Sequence, residues 1–206
     1  LVALLNSFLG KGYNELYRIT ASTFGRQQHR RLILKVIIGM AVGTGIAFAV
    51  NPTLMSVSEG MVPAILGGDI IHLRGRLPVE LPIYAVFVTL ALAKTVSTTV
   101  TVGSGMSAGF VGPTLIVGML TAAAVGSTLG VSVDSGEYTA LLAAGFASML
   151  ASTINVPIAA AVLALELFGL SYSFPAAISA VIGYQFNRFN TLYVYATEEE
   201  FNDGSA

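Results

Sequence analysis

Gly-Ser-Gly-Met-Ser-Ala-Gly-Phe-Val-Gly-Pro-Thr-Leu-Ile-Val, residues 103–117, is the stretch whose reading decides the fold. A run of small and polar residues lies between two strongly apolar segments. Glycines at 103, 105, 109 and 112 let the backbone take unusual angles or come close to another atom. Pro113 falls where the first turn of a new helix begins, the part of a helix that tolerates proline best. A helix that starts inside an apolar region, behind such a loop, aims unpaired N–H groups and a positive dipole end at whatever precedes it. That arrangement holds an anion without a fixed positive charge.

The rest of the chain identifies the solvent. Of 206 residues, 54% are hydrophobic and only 10% charged, against about 25% charged in soluble domains. Mean hydropathy is +0.77. These values predict a protein embedded in a lipid bilayer. A net charge of −1 gives no reason to expect nucleic acid as a partner. With no cysteine, disulfides and thiolate metal sites are excluded. The chain opens on Leu1 as if already within a helix, and we expect it to be part of a longer polypeptide.

Residues 1–24 read as one helix with polar positions at Asn6, Asn14, Glu15 and Arg18, followed by the basic cluster Arg26, His29, Arg30 and Arg31. By the positive-inside rule that cluster marks a cytoplasmic loop. Residues 32–50 suffice to span the roughly 30 Å hydrocarbon core, and Gly39, Gly43 and Gly45 form a small-residue face. Residues 54–66 are too short to cross and read as a half-helix or re-entrant piece, and 67–80 as an aqueous loop. In 81–102 the second half is hydroxyl-rich, and Lys94 must snorkel or pair there. Further helices are expected at 114–131, 139–154, 158–170 and 174–189, the third carrying Glu166, read as a structural polar contact. His29 and His72 fall in solvent-exposed loops. The fold expected is all-α: a polytopic membrane protein with tilted, broken and re-entrant helices, of the kind that places a transport site near the bilayer midplane.

Four pieces in order carry a family resemblance. Gly109-Phe110-Val111-Gly112-Pro113 resembles the G-x-F-x-P anion-binding signature of the CLC chloride channels and proton-coupled chloride transporters, with the phenylalanine one place early. Residues 144–157, A-G-F-A-S-M-L-A-S-T-I-N-V-P, are similar to a further segment of that family, and Leu165-Glu166 to its L-E pair. Thr191-Leu192-Tyr193 resembles its P-L-Y, with threonine for proline.

The resemblance implies that residues 1–206 form a single membrane-embedded helical domain, the second repeat of a CLC-type inverted-repeat pore, with the N-terminal half absent. It implies chloride as the bound and transported ion, with no other cofactor and no enzymatic activity. The ion would be held by the backbone amides of Phe110 and Val111, with Gly109 allowing close approach and the Tyr193 hydroxyl donating from another helix. It further implies a homodimer in the plasma membrane, in contact through the small-residue face of 32–50 and the 157–184 pair. The family's G-S-G-I-P and G-(K/R)-E-G-P loops are not found, so the second half of the site lies outside this sequence.

Two other readings stand beside it. Gly105-Met106-Ser107-Ala108-Gly109 matches the G-x-S-x-G nucleophile elbow, which would make Ser107 the nucleophile of an intramembrane hydrolase with Lys94 as its base, although no strand is read before the motif as that elbow requires. A transporter of another ion on similarly broken helices is the second.

Overall fold

Apolar runs cut by glycine and proline become nine α-helices, with no strand, among the described residues. The computed structural model describes residues 1–25, 32–55, 60–106 and 109–192. The helices are α1 (Val2–Gly25), α2 (Leu32–Val50), α3 (Met61–Gly67), α4 (Ile70–Arg74), α5 (Ile83–Gly103), α6 (Val111–Thr128), α7 (Gly136–Ile154), α8 (Pro157–Phe168) and α9 (Ser173–Asn187). The all-α class is as the sequence predicts. Three described stretches, Ile33–Val50, Ile83–Gly103 and Val111–Thr128, are long and apolar enough to cross a membrane.

α6 and α7 form the centre. Their sequences are dominated by Ala, Gly and Ser, which lets the backbones approach closely. Gly118 and Gly145 face each other: a Cβ on Gly118 would fall 2.7 Å from the Met149 Cβ, and one on Gly145 would fall 2.6 Å from the Ala122 Cβ. α1 is bound to this pair by a polar seam. The Asn6 side-chain amide donates to the Gly145 carbonyl and to the Ser148 hydroxyl, both at 3.0 Å, while the Thr121 hydroxyl donates to the Asn6 oxygen. Farther along, Asn187 of α9 donates to the Ser7 carbonyl at 2.8 Å and to the Ser152 hydroxyl at 2.6 Å. In hydrocarbon such bonds satisfy groups that water cannot reach, and they fix which helix faces which.

Helix ends follow local chemistry. Asn155 takes the left-handed conformation, φ 62°, and closes α7 with its N–H on the Ala151 carbonyl; Pro157 then opens α8. α7 starts three residues before the expected 139 because Ser135 caps it, accepting from the Tyr138 N–H at 3.1 Å. α6 is likewise shifted toward the N-terminus, running from Val111 and ending before Gly130, whose φ is 69°.

Three expectations need correction. Residues 67–80 are not wholly a loop: Asp69 caps the short α4, and Arg74 gathers the carbonyls of Pro78, Val79 and Leu81. Of the small-residue face of α2, Gly39 is filled within the chain by Ser104 and Gly43 by Thr101 of α5, which leaves only Gly45 open to another partner. Glu166 is exposed on α8 and makes no polar contact among the described residues. His72 is exposed, as expected, whereas Arg26–Arg31 with His29 lie outside the described residues.

Candidate functional site at the start of helix α6

The turn between α5 and α6 is held from both sides. Gly103 lets α1 come in close, since a Cβ there would lie 2.8 Å from the Thr20 Cβ, and the Thr20 hydroxyl donates to the Thr99 carbonyl at 3.0 Å. Gly105 then turns the chain with φ 95°, a conformation that favours glycine. On the far side Phe110 is buried with its ring edge-on to Tyr17, centroids 4.9 Å apart and planes at 79°. This contact accounts for the phenylalanine one place early: at 110 the ring anchors the turn to α1, while Val111, 39% exposed, begins the helix.

Phe110 caps α6 through its backbone alone. Its carbonyl accepts from the Thr114 N–H at 3.1 Å, and no side chain caps the helix. The N–H groups of Phe110, Val111 and Gly112 find no backbone acceptor among the described residues. Pro113, which has no N–H, completes this turn, buried. A Cβ at Gly109 would meet none of the described residues within 4 Å. None of the described residues therefore requires glycine at 109, and a side chain there would project into open space among them.

That space is a cavity of about 280 Å³, bounded by Gly109, Val111, Gly112 and Pro113 on one side and by Lys94, Ser97, Thr98 and Thr101 of α5 on the other. The α5 residues recur at i, i+3, i+4 and i+7, one face of a helix. From the sequence, Lys94 joins the glycine loop only as a base for Ser107, and the hydroxyls are not joined to it at all. The spacing was the available signal, but the cavity depends on how α5 folds back on α6. Lys94 is 3% exposed, and its ammonium donates to the Leu54 carbonyl at 2.7 Å, so it pairs rather than snorkels. The cavity wall is thus not made of neutral donors only. A second groove of about 540 Å³, between α1, α5 and α6, is walled by side chains such as Leu5, Leu9, Val88 and Leu92 and offers an anion almost nothing polar.

Gly109, Phe110 and Val111 therefore come together at one helix start, with Gly109 and Val111 on the cavity. Tyr193 and Ser107 lie outside the described residues. The hydrolase reading loses its context, because the element before the G-x-S-x-G run is the helix α5 where the elbow requires a strand.

An uncharacterized protein of Methanocaldococcus jannaschii is 32% identical over 193 residues, covering 94% of this chain and 44% of that protein, so the chain spans less than half the length of this relative. No solved structure gives a significant match. The sequence profile of the family described as voltage gated chloride channel matches residues 1–188. With the apolar helices, that match makes the protein an integral membrane protein. The chain belongs to the voltage-gated chloride channel family.

Proposed function

We propose that the full-length protein carries chloride, or a similar small anion, across a membrane, and that residues 1–206 contribute the second repeat of its pore. One observation carries this reading: the start of α6, with N–H groups that have no backbone acceptor among the described residues, opens on a cavity inside an apolar helix bundle. The amides of Phe110 and Val111 donate to the anion, and Gly109 admits it. Donors of this kind suit a conducting site, where binding must be strong enough to admit the ion and weak enough to release it. Tyr193 donates the remaining hydrogen bond. In support, Asn14 of α1 holds the carbonyl of Asn190, three residues before Tyr193, and the neighbouring Tyr13 lies against Thr98 of the cavity wall.

The protein acts as a homodimer in the plasma membrane, each subunit with its own pore and no cofactor beyond the ion. Exposed apolar side chains on α8 and α9, among them Ile158, Val162, Phe174 and Val181, support the 157–184 pair as the contact face. The test is anion flux from liposomes containing the purified full-length protein. Chloride and nitrate efflux is expected, and flux of a cation or carboxylate with none of chloride would refute the reading. Running the same assay against a proton gradient separates an exchanger from a passive channel.

A further inference from the structure

α2 is the least buried of the three described spans, and its 19 residues, at about 1.5 Å each, match the ~30 Å hydrocarbon core. Its last residue, Val50, therefore lies where acyl chains give way to headgroups. A second segment is built onto that end. Asn51 is buried and donates its side-chain amide to the carbonyls of His72 and Leu73 at 3.0 and 2.9 Å. Gly75, with φ 56°, lets the chain close over Asn51, since a Cβ there would fall 2.6 Å from the Asn51 Cγ. The Arg76 N–H then donates to the Val50 carbonyl at 3.1 Å. These bonds hold Arg76 at the membrane boundary, with its guanidinium over the Phe48 ring, 3.8 Å from the centroid.

The two arginines of this segment are used differently. Arg74 donates to the carbonyls of Pro78, Val79 and Leu81 and so holds the turn into α5. The Arg76 side chain makes no hydrogen bond or ion pair among the described residues. Stacking occupies the flat face of its guanidinium and leaves the N–H groups, which lie in the plane, open at the edge. Apolar side chains stand bare around it in sequence: Phe48 is 45% exposed, Ile71 89% and Val79 82%. A guanidinium held flat at headgroup depth, with apolar side chains beside it, matches a phosphate that carries acyl chains.

We propose that Arg76, stacked on Phe48, binds the phosphodiester of an anionic phospholipid whose acyl chains lie along the outward apolar face of α2. The guanidinium edge donates to the phosphate oxygens while its face stays on the ring, so both interactions hold at once. A zwitterionic lipid binds less well, because its phosphate already has its own ammonium beside it. The bound lipid clamps the 72–76 segment to the end of α2. This inference is independent of the anion site and needs only the membrane-embedded fold.

The test uses the full-length protein in detergent, with native mass spectrometry for lipid binding and thermal unfolding for its effect. The probes are phosphatidylglycerol, phosphatidylcholine and inorganic phosphate. Phosphatidylglycerol is expected to bind and raise the unfolding midpoint, phosphatidylcholine to bind about threefold more weakly, and inorganic phosphate to do nothing. Arg76→Gln is expected to weaken phosphatidylglycerol binding about fivefold, the effect of one cation at a membrane surface. Its midpoint without lipid should be unchanged, since the Arg76 side chain is exposed and touches an exposed ring. Phe48→Leu keeps the apolar surface but not the stacking, and is expected to weaken binding by about twofold or more. The basic residues at 26–31 attract anionic lipid equally in all three proteins, so the difference between them reads this site. Wild-type phosphatidylglycerol binding in Arg76→Gln, or equal binding of the two lipids, overturns the proposal. A midpoint raised as much by inorganic phosphate as by phosphatidylglycerol makes this a site for a free anion and overturns it as well.

Discussion

At Gly109 a side chain would enter the cavity and meet none of the described residues. Gly109→Val should therefore fold like the wild type, within about 0.5 kcal/mol. By keeping the ion from the α6 amides it should lower chloride flux by about ten- to a hundredfold, the effect of losing a hydrogen bond to a charged group; liposome efflux and thermal unfolding of the same preparation check both halves. Gly105, at φ 95°, should behave in the opposite way, with Gly105→Val costing stability because the turn itself needs glycine. The sequence distinguished these positions poorly, since both read simply as glycine in a polar loop. What separates them is a backbone angle at one and an open cavity at the other. The early phenylalanine belongs to the same scale: its reason is the ring of Tyr17, some ninety residues away, which no local pattern announces.

Among the elements, the α6–α7 contact is set by two glycines, and a larger residue at either meets backbone or Cβ atoms that cannot rotate away. Gly118→Leu should destabilise the protein by about 1–3 kcal/mol or more, seen as a lowered unfolding temperature in detergent. Asn6→Ala, which removes the amide bonds to the Gly145 carbonyl and the Ser148 hydroxyl and leaves Thr121 only the carbonyls of its own helix, should cost about 1–2 kcal/mol. Helix positions were legible because hydrophobic runs and their Pro and Gly breaks are local: α2 has the bounds read from sequence, and Asn155-Val156-Pro157 marks the α7–α8 junction. Partners were not legible. Gly39 and Gly43 of α2 looked like part of a face for another subunit and are filled by Ser104 and Thr101, since the same small residues serve any close helix contact, within a chain or between chains.

For the whole molecule, the low charge and the broken apolar helices pointed to a membrane-embedded all-α fold, and the four motif pieces in order pointed to the family that the chain belongs to. The cavity was only half legible. Its α6 side is a contiguous motif, whereas its α5 side depends on a helix folding back so that residues 94, 97, 98 and 101 face Gly109. The central claim is that an anion sits in that cavity. The most direct measurement is anomalous diffraction from crystals of the full-length protein grown in bromide in place of chloride. The account predicts a bromide peak between the first turn of α6 at Phe110–Gly112 and the α5 residues that line the cavity, lost in Gly109→Val. An empty cavity, with bromide bound elsewhere in a protein that still carries chloride, would contradict it.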